Sequence, residues 1–198
     1  SLLQYPQYLD DSLYYKILSL FLSSLNNFKD KCDKGISFES CISLIANSIA
    51  DGCSESNPNF TQLCLECGIV QTFFEIFNDE NPWNLKINIF EAILKLFYHG
   101  LPDVESLDAF IELGFIDLLL NNLSEMCPCN GFAITSALLS IISFVIEIGS
   151  DEYSLLIDFL LSVEVEEAVD MLTQSDDIEI KSNAEKVDSF IQSLYEDK

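Results

Sequence analysis

The residues of this chain with the most obvious chemistry are thiols. Cys64 and Cys67 form C-x-x-C, and Cys127 and Cys129 form C-x-C, together the donor count of a structural zinc site. The pattern around them argues against a shared ion. The first pair lies beside a hinge between two short apolar segments, the second in a polar break before a long one. The pairs are therefore expected at opposite edges of the fold, about 20 Å apart for a helix of roughly fourteen residues. A thioredoxin-like redox pair is disfavoured because no strand precedes Cys64. His99 is the single histidine, and no G-x-S-x-G elbow accompanies it, so a serine-type triad has nothing to build on. Its place is the end of a helix, facing the carbonyl end of the dipole. The acidic clusters Glu164-Val165-Glu166-Glu167 and Asp176-Asp177-Ile178-Glu179 lack calcium-loop spacing and its glycine. With seven Gly in all there is no phosphate-cradling loop. No catalytic residue, metal or cofactor is expected, and the chain reads as a non-enzyme.

A different constellation recurs along the chain. Four apolar segments each leave a narrow polar stripe at helical spacing: Ser40, Ser43, Asn47 and Asp51; Asn88, Glu91, Lys95 and His99; Ser136, Ser140, Ser143 and Glu147; Lys181, Glu185, Asp188 and Gln192. Residues three or four apart share a helix face. A helix packed on three sides exposes such a stripe, so Ser43, Asn47, Asn88, Glu91, Lys95, Ser136, Ser140, Ser143, Glu147, Lys181, Glu185 and Asp188 are the candidate partner-binding residues.

The elements that must present these stripes come in a repeated order: short helix, hinge, apolar helix, polar break, longer apolar helix. Leu63-Cys64-Leu65-Glu66-Cys67-Gly68-Ile69-Val70 returns as Phe110-Ile111-Glu112-Leu113-Gly114-Phe115-Ile116-Asp117, with Gly114 46 residues after Gly68. A degenerate third copy, Phe159 to Glu166, puts Glu164 at the Gly position after a step of 50. The boundaries predict one domain of four repeats, approximately 1–52, 53–100, 101–149 and 150–198. A first helix runs from about Asp11 to Asn27, then a polar link at Asp30–Gly35 and a helix from Ser37 to Asp51-Gly52. After Asn57-Pro58 come a short helix to Cys67, Ile69 to Phe77, a break at Asp79–Pro82, and Trp83 to His99, with Pro82 suited to a first turn. The next set is Val104 to Leu113, Phe115 to Leu123, a break over Cys127–Gly131, and Phe132 to Ile148. The last is Glu152 to Val163, Val165 to Thr173, a break at Ser175–Asp177, and Ile178 to Tyr195. No strand pattern interrupts the series.

Composition bounds what such a fold can do. The chain has 198 residues, 49% of them apolar, enough for a continuous core. It carries 33 acidic residues against nine basic ones, all Lys, for a net charge of −24. Residues 1–100 hold 12 acids and 6 Lys, whereas residues 101–198 hold 21 acids and 3 Lys. Nucleic-acid binding neutralises phosphates with Lys and Arg, so nucleic acid is excluded as a partner. Anionic membrane surfaces are repelled and basic segments attracted. The most hydrophobic run, Phe132 to Ile148, has its hydroxyls on one face and is read as a buried helix rather than a membrane span. The seven Cys, odd in number and set in apolar helical patterns, predict a reducing, intracellular location, cytoplasmic or nuclear. The sequons Asn59-Phe60-Thr61 and Asn122-Leu123-Ser124 point weakly the other way.

A period of about 40 to 47 residues with two or three helices per unit is the signature of armadillo and HEAT solenoids. From about Asn59 to Tyr195 the chain resembles the armadillo-repeat family. The hinge glycines Gly68 and Gly114, the apolar pairs Ile69-Val70 and Phe115-Ile116 that follow them, and the long third helices carry the likeness. The resemblance implies an all-α, right-handed superhelix whose third helices line a concave groove for an extended peptide. It implies a protein partner, which the acidic charge of the chain makes a basic segment, and disfavours a small-molecule ligand. Importin-alpha members carry a Trp on that helix with an Asn four residues later. Here Asn47 matches the Asn, but Ser43 stands in the Trp place, and Trp83 lies at the wrong end of its helix. A diverged nuclear-import adapter is thus an alternative to a general binding module. A structural piece of a longer scaffold is another, because the chain starts at Ser1 without Met.

Overall fold

The computed structural model describes residues 11–29, 36–53, 59–78, 80–100, 104–148 and 154–196. The predicted links at Asp30–Gly35 and Asn57-Pro58, the start at Glu152, and Cys32 lie outside them. Among the described residues there are ten helices and no strand, so the protein is all-α. The chain divides into two compact units, Ser1–Leu113 and Gly114–Lys198.

The first unit holds α1 (Asp11–Lys29), α2 (Ile36–Gly52), α3 (Phe60–Glu66), α4 (Ile69–Asn78), α5 (Trp83–Gly100) and α6 (Val104–Glu112). Helices α3, α4 and α5 pack on one another as a triplet. Gly68 joins the first two with φ at 75°, a left-handed conformation that glycine adopts without steric cost. Asn81 donates from Nδ2 to the Ile76 carbonyl at 2.6 Å, occupying one of the acceptors that the end of α4 leaves open. The core is aromatic: the rings of Phe77 and Phe90 lie tilted with centroids 5.9 Å apart, and Phe97 meets Phe110 of α6 edge-on at 5.3 Å. Thr61 is buried and donates to the Leu96 carbonyl at 2.9 Å, which commits one sequon hydroxyl to the core. Helix α2 lies extensively along α5. Cys53, just past the end of α2, lies near Lys95 and Tyr98 in the last turns of α5. The two helices therefore run side by side in the same direction.

The second unit holds α7 (Phe115–Ile148), α8 (Ser154–Leu160), α9 (Val163–Thr173) and α10 (Ile178–Glu196). The five-residue break expected over Cys127–Gly131 is reduced to one non-helical residue, Asn130, at φ −121° and ψ 22°. Met126 and Cys127 are buried and hold the chain helical up to Pro128, which lacks the N–H for its own rung. At the bend, Gly131 has no Cβ. One there would lie 2.8 Å from a Leu172 methyl and 3.3 Å from a methyl of Ile180, so glycine admits α9 and α10 to the kink. Ile180 is in the first turn of α10 and Gly131 opens the second half of α7, and the two helices share a long contact. They too run in the same direction.

The third hinge differs from the sequence expectation. The residue equivalent to Gly68 and Gly114 is Ser162, not Glu164, because Ser162 lies between α8 and α9 and its carbonyl accepts from Glu166 N–H, as those of Gly68 and Gly114 accept from Thr72 and Leu118. The steps are thus 46 and 48 residues. Ser162 is extended, at φ −75° and ψ 151°, and its hydroxyl accepts the Val165 N–H. Side-chain capping replaces the left-handed glycine.

Candidate partner-binding faces

On α5 the stripe is a window in an otherwise enclosed helix. Leu85, Ile89, Phe90, Ala92, Ile93, Leu94, Leu96 and Phe97 are buried, whereas Asn88, Glu91 and Lys95 are half-buried and His99 exposed. Lys95 Nζ pairs with Glu91 Oε1 at 2.7 Å, so part of this stripe's charge is already internally matched. A half-exposed pair four residues apart is worth about 0.3–0.5 kcal/mol. The His99 ring lies 4.3 Å from that of Tyr98 in the final turn. On the neighbouring α2, Ser43 is half-buried and Asn47 exposed.

The second half of α7 repeats this arrangement. Ala133, Ile134, Ala137, Leu138, Ile141, Ile142 and Val145 are buried; Ser136 and Ser140 are half-buried, and Ser143 and Glu147 exposed. The hydroxyls turn back onto their own helix, Ser140 donating to the Ser136 carbonyl at 3.1 Å and Ser143 to that of Leu139 at 3.0 Å. Helix α10 departs from the expectation of a narrow stripe. It buries Ala184, Val187 and Ile191, while Lys181 and Glu185 sit on a broad exposed face with Asp188 half-buried at its edge. Gln192 donates to Asp188 at 3.4 Å.

Reading polar residues alone passes over apolar ones on the same faces. Phe132, Leu139 and Ile146 follow one another at intervals of seven along the open side of α7. Phe132 is 40% exposed, Leu139 half-buried and Ile146 66% exposed. The interval of seven was the available signal.

The thiols are split between the units. Cys64 and Cys67 belong to the first, Cys127 and Cys129 to the second. Burial raises the Cys53 and Cys64 thiols well above their ordinary range and pushes Cys127 up to about 12, which keeps these three protonated near neutrality and poor as nucleophiles or ligands. Among the described residues no group of three or more His, Cys, Asp or Glu is placed to hold a metal ion. Among the described residues one helical stretch, Phe115–Glu147, is long and apolar enough to cross a membrane, and 56% of its most apolar window is buried inside the protein. Neither a protein-family model nor a curated protein matches the chain.

Proposed function

We propose that the chain is a non-enzymatic binding module, a right-handed solenoid of armadillo type that holds a basic protein segment against its third helices. The observation that carries this reading is the enclosure of α5 and of the second half of α7. Helix α5 from Leu85 onward and the second half of α7 are buried around most of their circumference, and on both the more open side bears residues singled out by spacing. The parallel pairs α2 with α5 and α7 with α10 support stacked third helices, as does the recurrence of one hinge geometry at Gly68, Gly114 and Ser162. A net charge of −24 selects cationic partners and accelerates their arrival. An intracellular setting, cytoplasmic or nuclear, belongs to the proposal and rests on the odd number of cysteines set in apolar helical patterns.

The test is charge reversal on the faces. Fluorescent Lys/Ser peptides are titrated against the chain at two salt concentrations, with Glu91, Glu147 and Glu185 changed together to Lys. Glu164, Glu167 and Asp176, all exposed, supply a control of equal net charge; Glu166 is left intact because it accepts the Tyr195 hydroxyl at 2.5 Å. Loss of more than about tenfold in the first variant alone, with a flatter salt dependence, is the expected result. Equal losses in both leave only a long-range field, and no loss in either removes the assigned faces.

A further inference from the structure

The open side of α7 is not uniformly polar. Phe132, Leu139 and Ile146 form a ridge along it, repeating every seven residues, about 10.5 Å per step at the helical rise. Between the large side chains stand Ser136, Ser140 and Ser143, which leave gaps of the kind that accept knobs from a facing helix. The hydroxyls of Ser140 and Ser143 already donate to carbonyls of their own helix. Covering the ridge therefore strands neither of those donors, and the desolvation penalty that normally opposes apolar docking on a serine-rich face is reduced.

We infer that this ridge receives an amphipathic, cationic helix from a protein partner, laid along α7 with apolar residues at intervals of seven. The inference rests on the binding-module reading and specifies the form of the segment. Periodicity selects a helix. A step of about 10.5 Å spans roughly three residues of a strand, and residues three apart in a strand point to opposite faces. Charge selects the sign. The unit that carries the ridge, Gly114–Lys198, has 17 acids against 3 Lys. Glu147 ends the stripe, and α10 with Glu185 and Asp188 packs beside α7. A second copy of the chain would bring −24 against −24 and is opposed by the same field. Anionic lipid is opposed likewise. A basic helix gains from both apolar burial and charge.

Three synthetic peptides of about 18 residues and equal charge test this by anisotropy on the full chain: a Leu/Lys helix with leucines on one face, the same composition shuffled to scatter the leucines, and a Lys/Ser peptide. The faced helix should bind about tenfold tighter than the shuffled one. The double variant Phe132→Ser/Ile146→Ser should erase that difference while leaving Lys/Ser binding and the circular-dichroism spectrum unchanged; both side chains are substantially exposed. Equal affinity of faced and shuffled peptides, or a preference that survives the double variant, overturns the ridge while the binding-module reading stands. Failure of all three peptides to bind removes both. Sedimentation showing a dimer that Ile146→Ser abolishes assigns the ridge to a second copy and also overturns the inference.

Discussion

Helices α5 and α10 hold the same place in the repeated plan and have opposite surroundings. Eight residues of α5 are buried, distributed around nearly its whole circumference; α10 buries three, on one side. On α5 the polar residues are what enclosure leaves uncovered, so their spacing identifies a face. On α10 the set Lys181, Glu185 and Asp188 is one choice among several, since Glu179, Ser182, Lys186 and Ser189 are exposed as well. A polar stripe therefore carries information in proportion to how completely the rest of its helix is covered.

The largest contrast between enclosed and open helices comes from a buried charge. Ile93→Asp on α5 and Leu138→Asp on α7 place a carboxylate at fully buried positions without a partner, and each should cost more than about 3 kcal/mol and leave the chain unfolded or molten. Ser189→Asp on α10 should stay within about 0.5 kcal/mol of the parent. Urea titrations followed by circular dichroism decide it; a cooperative parent-like transition in Ile93→Asp would mean that α5 is not enclosed.

Alkali should separate the two units next. The first contains Cys53 and Cys64, both raised by burial, and Tyr98, pushed up to about 12 chiefly by burial. The second contains Cys127, raised by burial from 9.0 to about 12. The folded state holds these protons more tightly than the unfolded chain. Their contribution is intact below about pH 9 and drains away as the pH climbs towards 12, each unit of separation being worth about 1.4 kcal/mol. The first unit has more such groups and should loosen at lower pH. Trp83 on α5, the sole tryptophan, reports that unit by fluorescence, and its midpoint should precede the loss of total helix seen by circular dichroism. Coincident midpoints would contradict the difference.

Much of the helical order was legible because the apolar positions are dense and periodic. Trp83 and Val104 begin helices where expected, and Gly68 and Gly114 take the left-handed conformation that a hinge between two helices demands. The bend in α7 was misjudged because Cys127, Pro128, Asn130 and Gly131 all read as breakers, whereas burial of Met126 and Cys127 confines the disruption to one residue. Asn130 is 4% exposed with neither side-chain atom hydrogen-bonded among the described residues, which its polarity in the sequence does not suggest. The third hinge lies two residues before the position that glycine spacing predicts, because Ser162 performs the turn through its hydroxyl. The ridge on α7 is not legible from a polar stripe because its members are apolar.

The hinges offer the smallest and cleanest contrast, since a Cβ placed on Gly68 or Gly114 meets nothing within 4 Å. Replacing either with Ala therefore tests backbone conformation without steric repacking, and at φ values of 75° and 87° should cost about 1–2 kcal/mol. Asn at either site tolerates the left-handed region better and should recover part of the loss. At Ser162 the cause of the loss is different. Its backbone is extended and its hydroxyl receives the Val165 N–H, so Ala should cost about 1 kcal/mol through the lost cap, and Gly only a few tenths. Urea midpoints at unchanged slope give all six values. Should Gly68→Ala prove neutral while Ser162→Gly is the costlier change, the hinges would not divide into a left-handed and a capped class, and their equivalence would rest on helix spacing alone.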